Sequence, residues 1–274
     1  MSDDNWFFAG KRALVTGGAS GIGRAVVLQL VRRGAEVVSV DVADQDDGPS
    51  LWLRPVRLDL ANARAVDALL DELDGQVELV CNAAGVSPLG QTVGTVVAVD
   101  FLAVRRICER LAPSMGEGAA IVNVASVAGV YEAIDDQARA LLAEGDDAST
   151  LAQAAAIIPD PGVAYAVAKR AVILLTLQVA ARHAPRRLRV NATSPHAAAT
   201  PMHYAIKTSD PQMYERARMT AHFGRWSTAD EQADAVMFLL GPRSTYITGQ
   251  NLMVDGGWWA TALTSSPELR RLQP

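Results

Sequence analysis

Short apolar, β-branched runs recur along this chain, each separated from the next by a longer segment with helical spacing. That alternation restricts the possible folds more than any other feature. RALVT at 12–16 reads as a strand and 22–31 as an amphipathic helix. EVVSVD at 36–41 is a second strand, 53–60 a third that Pro55 weakens, and 62–73 the next helix. A strand at 77–84, a long helix over 95–113 and a strand at 119–126 continue the rhythm. Two short helical patterns, at about 135–143 and 149–158, precede a helix from near Tyr165 to about His183. Strand 188–193, a helix near 230–240 and a strand near 250–254 close the series, while 195–228 shows no regular pattern. Runs that are apolar on both faces and joined by helices belong in a parallel sheet covered on both sides. Right-handed crossovers then give a doubly wound α/β domain.

The 274 residues suffice for one large core, and no internal repeat or linker divides them, so the expectation is a single domain over 1–274. Half the residues are hydrophobic and 20% are charged, which excludes a predominantly disordered chain. A net charge of -5 favours neither nucleic acid nor an anionic membrane as partner. The acidic opening MSDDNWFFAG lacks a cationic, apolar leader, and no window holds 18 consecutive apolar residues. The expectation is a cytoplasmic protein with no membrane partner. Two cysteines make no disulfide framework, and Cys81, inside an apolar run, reads as a buried small hydrophobe. No clustered Cys/His set suggests a metal.

The first strand runs into Thr16-Gly17-Gly18-Ala19-Ser20-Gly21-Ile22-Gly23. Its glycines are spaced more widely than in the strict G-x-G-x-x-G pattern, but the physics is shared. Glycines allow a tight turn and let backbone amides approach a phosphate at a helix N-terminus. Asp41 ends the second strand about 20 residues on, where a carboxylate can accept from ribose hydroxyls and repel a 2'-phosphate. The expected cofactor is therefore NAD. Asp59 ends the third strand as either an adenine contact or a solvent-facing cap, and Asn82-Ala83-Ala84-Gly85 leaves the fourth beside the same crevice. Tyr165 and Lys169 stand at i and i+4, on one helix face, where a cation favours the phenolate. Either feature alone is weak; together with a serine ending the fifth strand they are not.

With these residues in hand, the chain resembles the short-chain dehydrogenase/reductase superfamily in its single-domain, Rossmann-like form. The resemblance rests on TGGASGIG at 16–23, NAAG at 82–85, VNVASVAG at 122–129, YAVAK at 165–169, RVNATSP at 189–195 and VDGG at 254–257. It implies Ser126 as catalytic serine, Tyr165 as acid/base and Lys169 as the residue that binds the nicotinamide ribose. Implied cofactor contacts are Gly17, Ser20, Gly21, Ile22, Gly23, Asp41, Asp59, Leu60, Asn82, Ala83, Ala84, Gly85, Tyr165, Lys169, Pro195, His196 and Thr200. The implied reaction is hydride transfer between nicotinamide and a secondary alcohol or its ketone. The implied assembly is a homotetramer, with a homodimer as the alternative.

Three departures modify that expectation. Asp100 stands where the family has an asparagine that holds a relay water, so it joins Ser126, Tyr165 and Lys169 as a catalytic candidate. Pro195-His196 replaces a Pro-Gly, placing an imidazole at the crevice as a ligand contact or a packed core histidine. The stretch between Ser126 and Tyr165 is far longer than usual, and its alanine-rich, acidic helices at about 131–160 resemble the insertion of bacterial 3α-hydroxysteroid dehydrogenase/carbonyl reductases. That insertion forms a substrate lid, a subunit surface or a solvent-facing hairpin with neither role. The segments 86–90, 127–132, 196–204 and 213–226 offer Val130, Tyr131, Met202, His203, Tyr204, Met219, Phe223 and Trp226 as a substrate wall. Such a wall suits an apolar alcohol or ketone such as a hydroxysteroid; a smaller polar alcohol, cyclic diol or dihydrodiol is the alternative, followed by a dinucleotide-binding protein without catalysis. Trp258-Trp259 pack a subunit interface or close the pocket.

Overall fold

The computed structural model describes residues 5–45, 51–143 and 145–264. Within them, β1 (Arg12–Thr16), β2 (Glu36–Asp41), β3 (Leu53–Arg57), β4 (Leu79–Asn82), β5 (Ala120–Val124), β6 (Arg189–Pro195) and β7 (Asn251–Val254) form one parallel sheet. The strand order is β3-β2-β1-β4-β5-β6-β7. Besides a single helical turn at Asn5–Phe8, the helices are α1 (Gly21–Arg32), α2 (Ala63–Leu73), α3 (93–111), α4 (Asp135–Leu142), α5 (Asp147–Ile157), α6 (Pro161–His183), α7 (Pro201–Ser209), α8 (Pro211–Met219), α9 (Ala229–Leu240) and α10 (Trp258–Thr264).

Side chains alternate across a strand, and here both alternating sets are apolar. Leu14, Val80 and Ile121 enter the core shared with α2, α3 and α6, whereas Ala13, Val15, Leu79, Cys81 and Val122 enter the core shared with α1 and α9. Burying each such large side chain contributes about 1.5–3 kcal/mol, which is why the central strands read as unbroken hydrophobic runs. β3 lies at the sheet edge, where the missing N–H of Pro55 is tolerated, and it ends at Arg57 rather than near residue 60.

Besides the unexpected helices Asn5–Phe8 and α10, two stretches differ from the sequence expectation. Helix α6 starts at Pro161, not near Tyr165, because the Asp160 side chain accepts the Val163 N–H at 3.0 Å and Pro161 occupies the first turn. Within 195–228, α7 and α8 replace the expected irregular chain, each started by a capping side chain and a proline: Thr200-Pro201 and Asp210-Pro211. The periodicity that marks other helices is absent there because α7 buries only His203 and α8 buries nothing.

The inserted helices α4 and α5 pack on the outer faces of α3 and α6, burying Ala138, Leu141 and Ala154. Arg105 of α3 donates to the Leu141 carbonyl and pairs with Asp147 at 3.0 Å, while Arg170 of α6 pairs with Asp135. No residue of α4 or α5 lines the large cavity at the sheet's carboxyl edge.

Candidate active site

The chain crosses from one half of the sheet to the other between β1 and β4, where Thr16 pairs with Asn82. Ligands bind at the carboxyl side of such a crossing. There the Thr16 hydroxyl accepts the Ala84 N–H at 3.2 Å, drawing the two strand exits together. The approach is too close for side chains. A Cβ on Gly17 (φ +74°) would lie 2.8 Å from the Ala84 backbone, and one on Gly23 would lie 2.2 Å from the Gly17 carbonyl oxygen. Ser20 caps α1 by position, but its side chain makes no capping bond and lies on the cavity wall. The Asp41 carboxylate accepts the Ala19 N–H and the Ala43 N–H, both at 3.0 Å, which orients it over the glycine turn.

A cavity of about 720 Å³ extends from this turn across the sheet edge. Gly17, Ser20, Gly21, Ile22, Gly23, Asp41, Asp59, Leu60, Ala83, Ala84, Gly85, Ser126, Tyr165, Lys169, Pro195, His196 and Thr200 all line it, with Thr200 bordering the glycine turn and Gly85 bordering Lys169. Two candidates lie off the wall. Asn82 is buried under it, its amide donating to Asn123 at 2.8 Å, and Asn123 in turn donates to Thr176 at 2.9 Å, so its side chain braces β4, β5 and α6. Asp100 is fully buried behind Lys169.

Ser126, in extended backbone after β5, accepts the Ala128 N–H at 3.2 Å and starts a single tight turn over Val127–Gly129. That turn rests on α6. A Cβ at Gly129 would come within 2.6 Å of the Lys169 carbonyl carbon, so only glycine permits this contact. Serine and tyrosine are thereby brought to one wall by backbone packing. Lys169 lies one helical turn beyond Tyr165, its Nζ 5.6 Å from the phenol ring centre, and donates to the Val124 carbonyl at 3.2 Å. Burial pulls the Lys169 ammonium down, but the carboxylate of Asp100, with Tyr165, leaves it above its ordinary value. Burial pushes the Asp100 carboxyl above the usual range against the pull of Lys169.

His196 lines the cavity, stacks on Trp258 with ring centres 5.4 Å apart, and lies 3.3 Å from the Thr220 hydroxyl through Nε2. It is thus both packed and at the wall. Burial lowers its pKa despite Asp255 nearby, and burial likewise lowers that of His203. His203 packs edge-on against Trp226 at 4.1 Å, and its buried Nε2 has no partner among the described residues.

Only Met202 and His203 of the expected substrate wall reach the cavity. Tyr131 instead packs against Trp258 and Trp259, while Tyr204, Met219 and Phe223 are exposed. The lining beyond the serine and tyrosine is Val86, Thr95, Val99, Ala128, Ile206, Met213 and Ala217. Met213 and Ala217 fall in the expected segment 213–226, whereas Ile206 on α7 and Thr95 and Val99 on α3 lie outside the expected segments; the cap-and-proline pair Thr200-Pro201 would have found α7.

The donor set fits a nicotinamide dinucleotide: a side-chain-free turn opening a helix, a fixed carboxylate, and a phenol and ammonium at the far end of one cavity. Comparison with known proteins agrees. Residues 11–138 match the family model for short chain dehydrogenases, and 136–259 match that for enoyl-(acyl carrier protein) reductases. The chain is 32% identical over 267 residues to L-xylulose reductase of Mus musculus, covering 92% of this chain and 98% of that one. It is 33% identical over 273 residues to an uncharacterized short-chain type dehydrogenase/reductase of Sinorhizobium fredii, covering 93% of this chain but 45% of that relative's length. The crystal structure of the 3-alpha-hydroxysteroid dehydrogenase from Pseudomonas sp. B-0831 complexed with NADH superposes with a TM-score of 0.80 at 32% identity, covering 93% of this chain and all of that one. By fold, cavity and full-length likeness, the chain belongs to the short-chain dehydrogenase/reductase family, whose members are oxidoreductases dependent on a nicotinamide dinucleotide.

Proposed function

We propose that this protein interconverts a secondary alcohol and its ketone, with NAD preferred over NADP. The observation that carries the reading is the convergence of Ser126, Tyr165 and Lys169 on the wall of a cavity whose other end holds the glycine turn and Asp41. When bound, the nicotinamide supplies the hydride acceptor or donor. In alcohol oxidation, Tyr165 Oη accepts the hydroxyl proton and Ser126 Oγ donates to the oxygen as it becomes a carbonyl. In reduction Tyr165 returns that proton. Lys169 holds a positive charge beside the phenol and favours its ionised form. The Asp41 carboxylate, fixed by two backbone N–H groups, receives ribose hydroxyls and repels a 2'-phosphate.

Two substrate classes remain, each with its own support. A compact polyol, cyclic diol or the corresponding ketone is favoured by the full-length likeness to an L-xylulose reductase. The unpartnered His203 Nε2 supplies a polar group for a substrate hydroxyl. A hydroxysteroid or similar alicyclic alcohol is favoured by the apolar side chains Val86, Val99, Ile206 and Met213, and by the likeness to a 3-alpha-hydroxysteroid dehydrogenase. A panel of both classes, followed by nicotinamide absorbance, separates them. Tyr165→Phe should retain dinucleotide binding while turnover falls by about a thousandfold, the loss of general acid–base catalysis. Turnover that survives the substitution would remove Tyr165 from the chemistry and with it the proposed reaction.

A further inference from the structure

The carboxylate behind Lys169 has a place built for it. Residues 98–102 of α3 turn with a π-helical pitch, a local widening that aims a side chain off the helix's regular face. Asp100 sits in that turn, 0% exposed, with Oδ1 2.9 Å from Lys169 Nζ and Oδ2 accepting the Val86 N–H at 3.1 Å. The space opposite is cleared by Gly85, where a Cβ would lie 2.6 Å from Asp100 Oδ1 and 3.3 Å from Lys169 Nζ. A carboxylate removed from water needs a paired charge and hydrogen bonds; here Lys169 pairs with Oδ1, which has no hydrogen-bond partner among the described residues, and the Val86 N–H bonds to Oδ2.

We propose that Asp100 is the buried counter-ion of Lys169, and that by cancelling the ammonium's charge it sets the acid–base poise of Tyr165. The inference rests on the reading of Tyr165 as the group that moves the proton. Lys169 alone would present a full positive charge to the phenol. Paired with Asp100 it presents a dipole, whose field falls off faster with distance. Asp100 therefore weakens the field that Lys169 alone would place on the Tyr165 phenol. It touches neither the cavity nor the reacting atoms, and so acts as a positioning residue.

The other charged or titratable groups around this set leave the assignment intact. From α6, Arg170 turns to Asp135 of the insertion. Across the cavity, His196 and His203 are held below the ordinary imidazole range by burial, hence neutral where a phenol titrates. Asp41 and Asp59 lie at the glycine-turn end of the cavity. From the Val86 loop and the end of β5, only a backbone N–H and the Val124 carbonyl face the pair.

The test is a spectroscopic titration of Tyr165 in the full-length protein without substrate. Near-ultraviolet tyrosinate absorbance is recorded against pH, and the matching Tyr165→Phe variant is subtracted as a blank in each background. Asp100→Asn preserves shape and the bond from Val86; Asp100→Ser removes the charge with a smaller group and keeps the result readable should the amide disturb folding. Both should move the Tyr165 midpoint to lower pH, by about half a unit or more. An unmoved midpoint overturns the inference, and so does a rise, which would mean that losing Asp100 discharges Lys169. Because no turnover enters the measurement, a failed alcohol panel would refute the proposed reaction while leaving this result to stand or fall by itself.

Discussion

Two backbone N–H groups hold the Asp41 carboxylate, one from the glycine turn and one from the exit of its own strand. Hydrogen bonds to a charged group contribute about 1.5–3 kcal/mol each, so the side chain is oriented before any ligand arrives. Asp41→Asn keeps the shape and removes the charge. Equilibrium titration with each dinucleotide should then show the preference for NAD over NADP falling by about tenfold, or about 1.4 kcal/mol. An unchanged ratio would place the discrimination in other residues. The position of Asp41 is legible in the sequence because a strand end and its distance from a glycine turn are local features. Its bond to Ala19 is not, since that depends on how β1 and β2 pair. Asn82 illustrates the same limit. The motif places it at a strand exit, but which way its amide turns depends on Asn123 and Thr176, far away in the chain. The pairing of Asp100 with Lys169 needed both the π turn of α3 and the clearance at Gly85, neither of which has a signature in the residue pattern.

At the scale of the elements, hydrophobic periodicity revealed every strand and the long helices that bury an apolar face, and it failed at the single turn Asn5–Phe8 and at α7, α8 and α10, which bury little or nothing. Helices with so little buried surface belong to the least stable part of a molecule, and α7 and α8 supply one wall of the cavity. The contact between the Ser126 turn and α6 is of the opposite kind, backbone against backbone with no slack. Gly129→Ala would set a methyl group 2.6 Å from the Lys169 carbonyl carbon and 2.7 Å from the Arg170 nitrogen. The turn must then lift away from the helix, at a cost of about 1–3 kcal/mol of stability, as for other overpacked sites. Ser126 moves with it, so kcat should fall more than the stability loss alone explains. Gly116→Ala is the control, since a Cβ there meets nothing within 4 Å. Equal melting temperatures and equal kcat for the two variants would refute the view that this contact aligns serine with tyrosine.

For the molecule as a whole, the cavity joins segments that the chain keeps far apart, and it does so across the sheet edge and under α7. The glycine turn and the start of α7 already touch: a Cβ on Gly21 would lie 3.3 Å from the Thr200 methyl carbon. His196 ties the same region to α10 by stacking on Trp258, and to the end of α8 through Thr220. A dinucleotide laid along this cavity bridges the rigid sheet and the weakly packed α7–α8 segment, so its binding free energy is shared with that segment. At a hundredfold excess over Kd, binding adds about 2.7 kcal/mol to the folded state. For a chain of this size that corresponds to a melting temperature raised by about 5–10 °C. NAD should produce the larger rise and NADP the smaller at equal concentration, because Asp41 opposes the extra phosphate. Limited proteolysis should report the same event locally. Cleavage within 201–219 should slow when NAD is added, by more than cleavage at other exposed sites, since local opening there is the motion that binding suppresses. Protection spread evenly over the chain would mean that the ligand stabilises only the global fold and that α7 and α8 take no part in holding it.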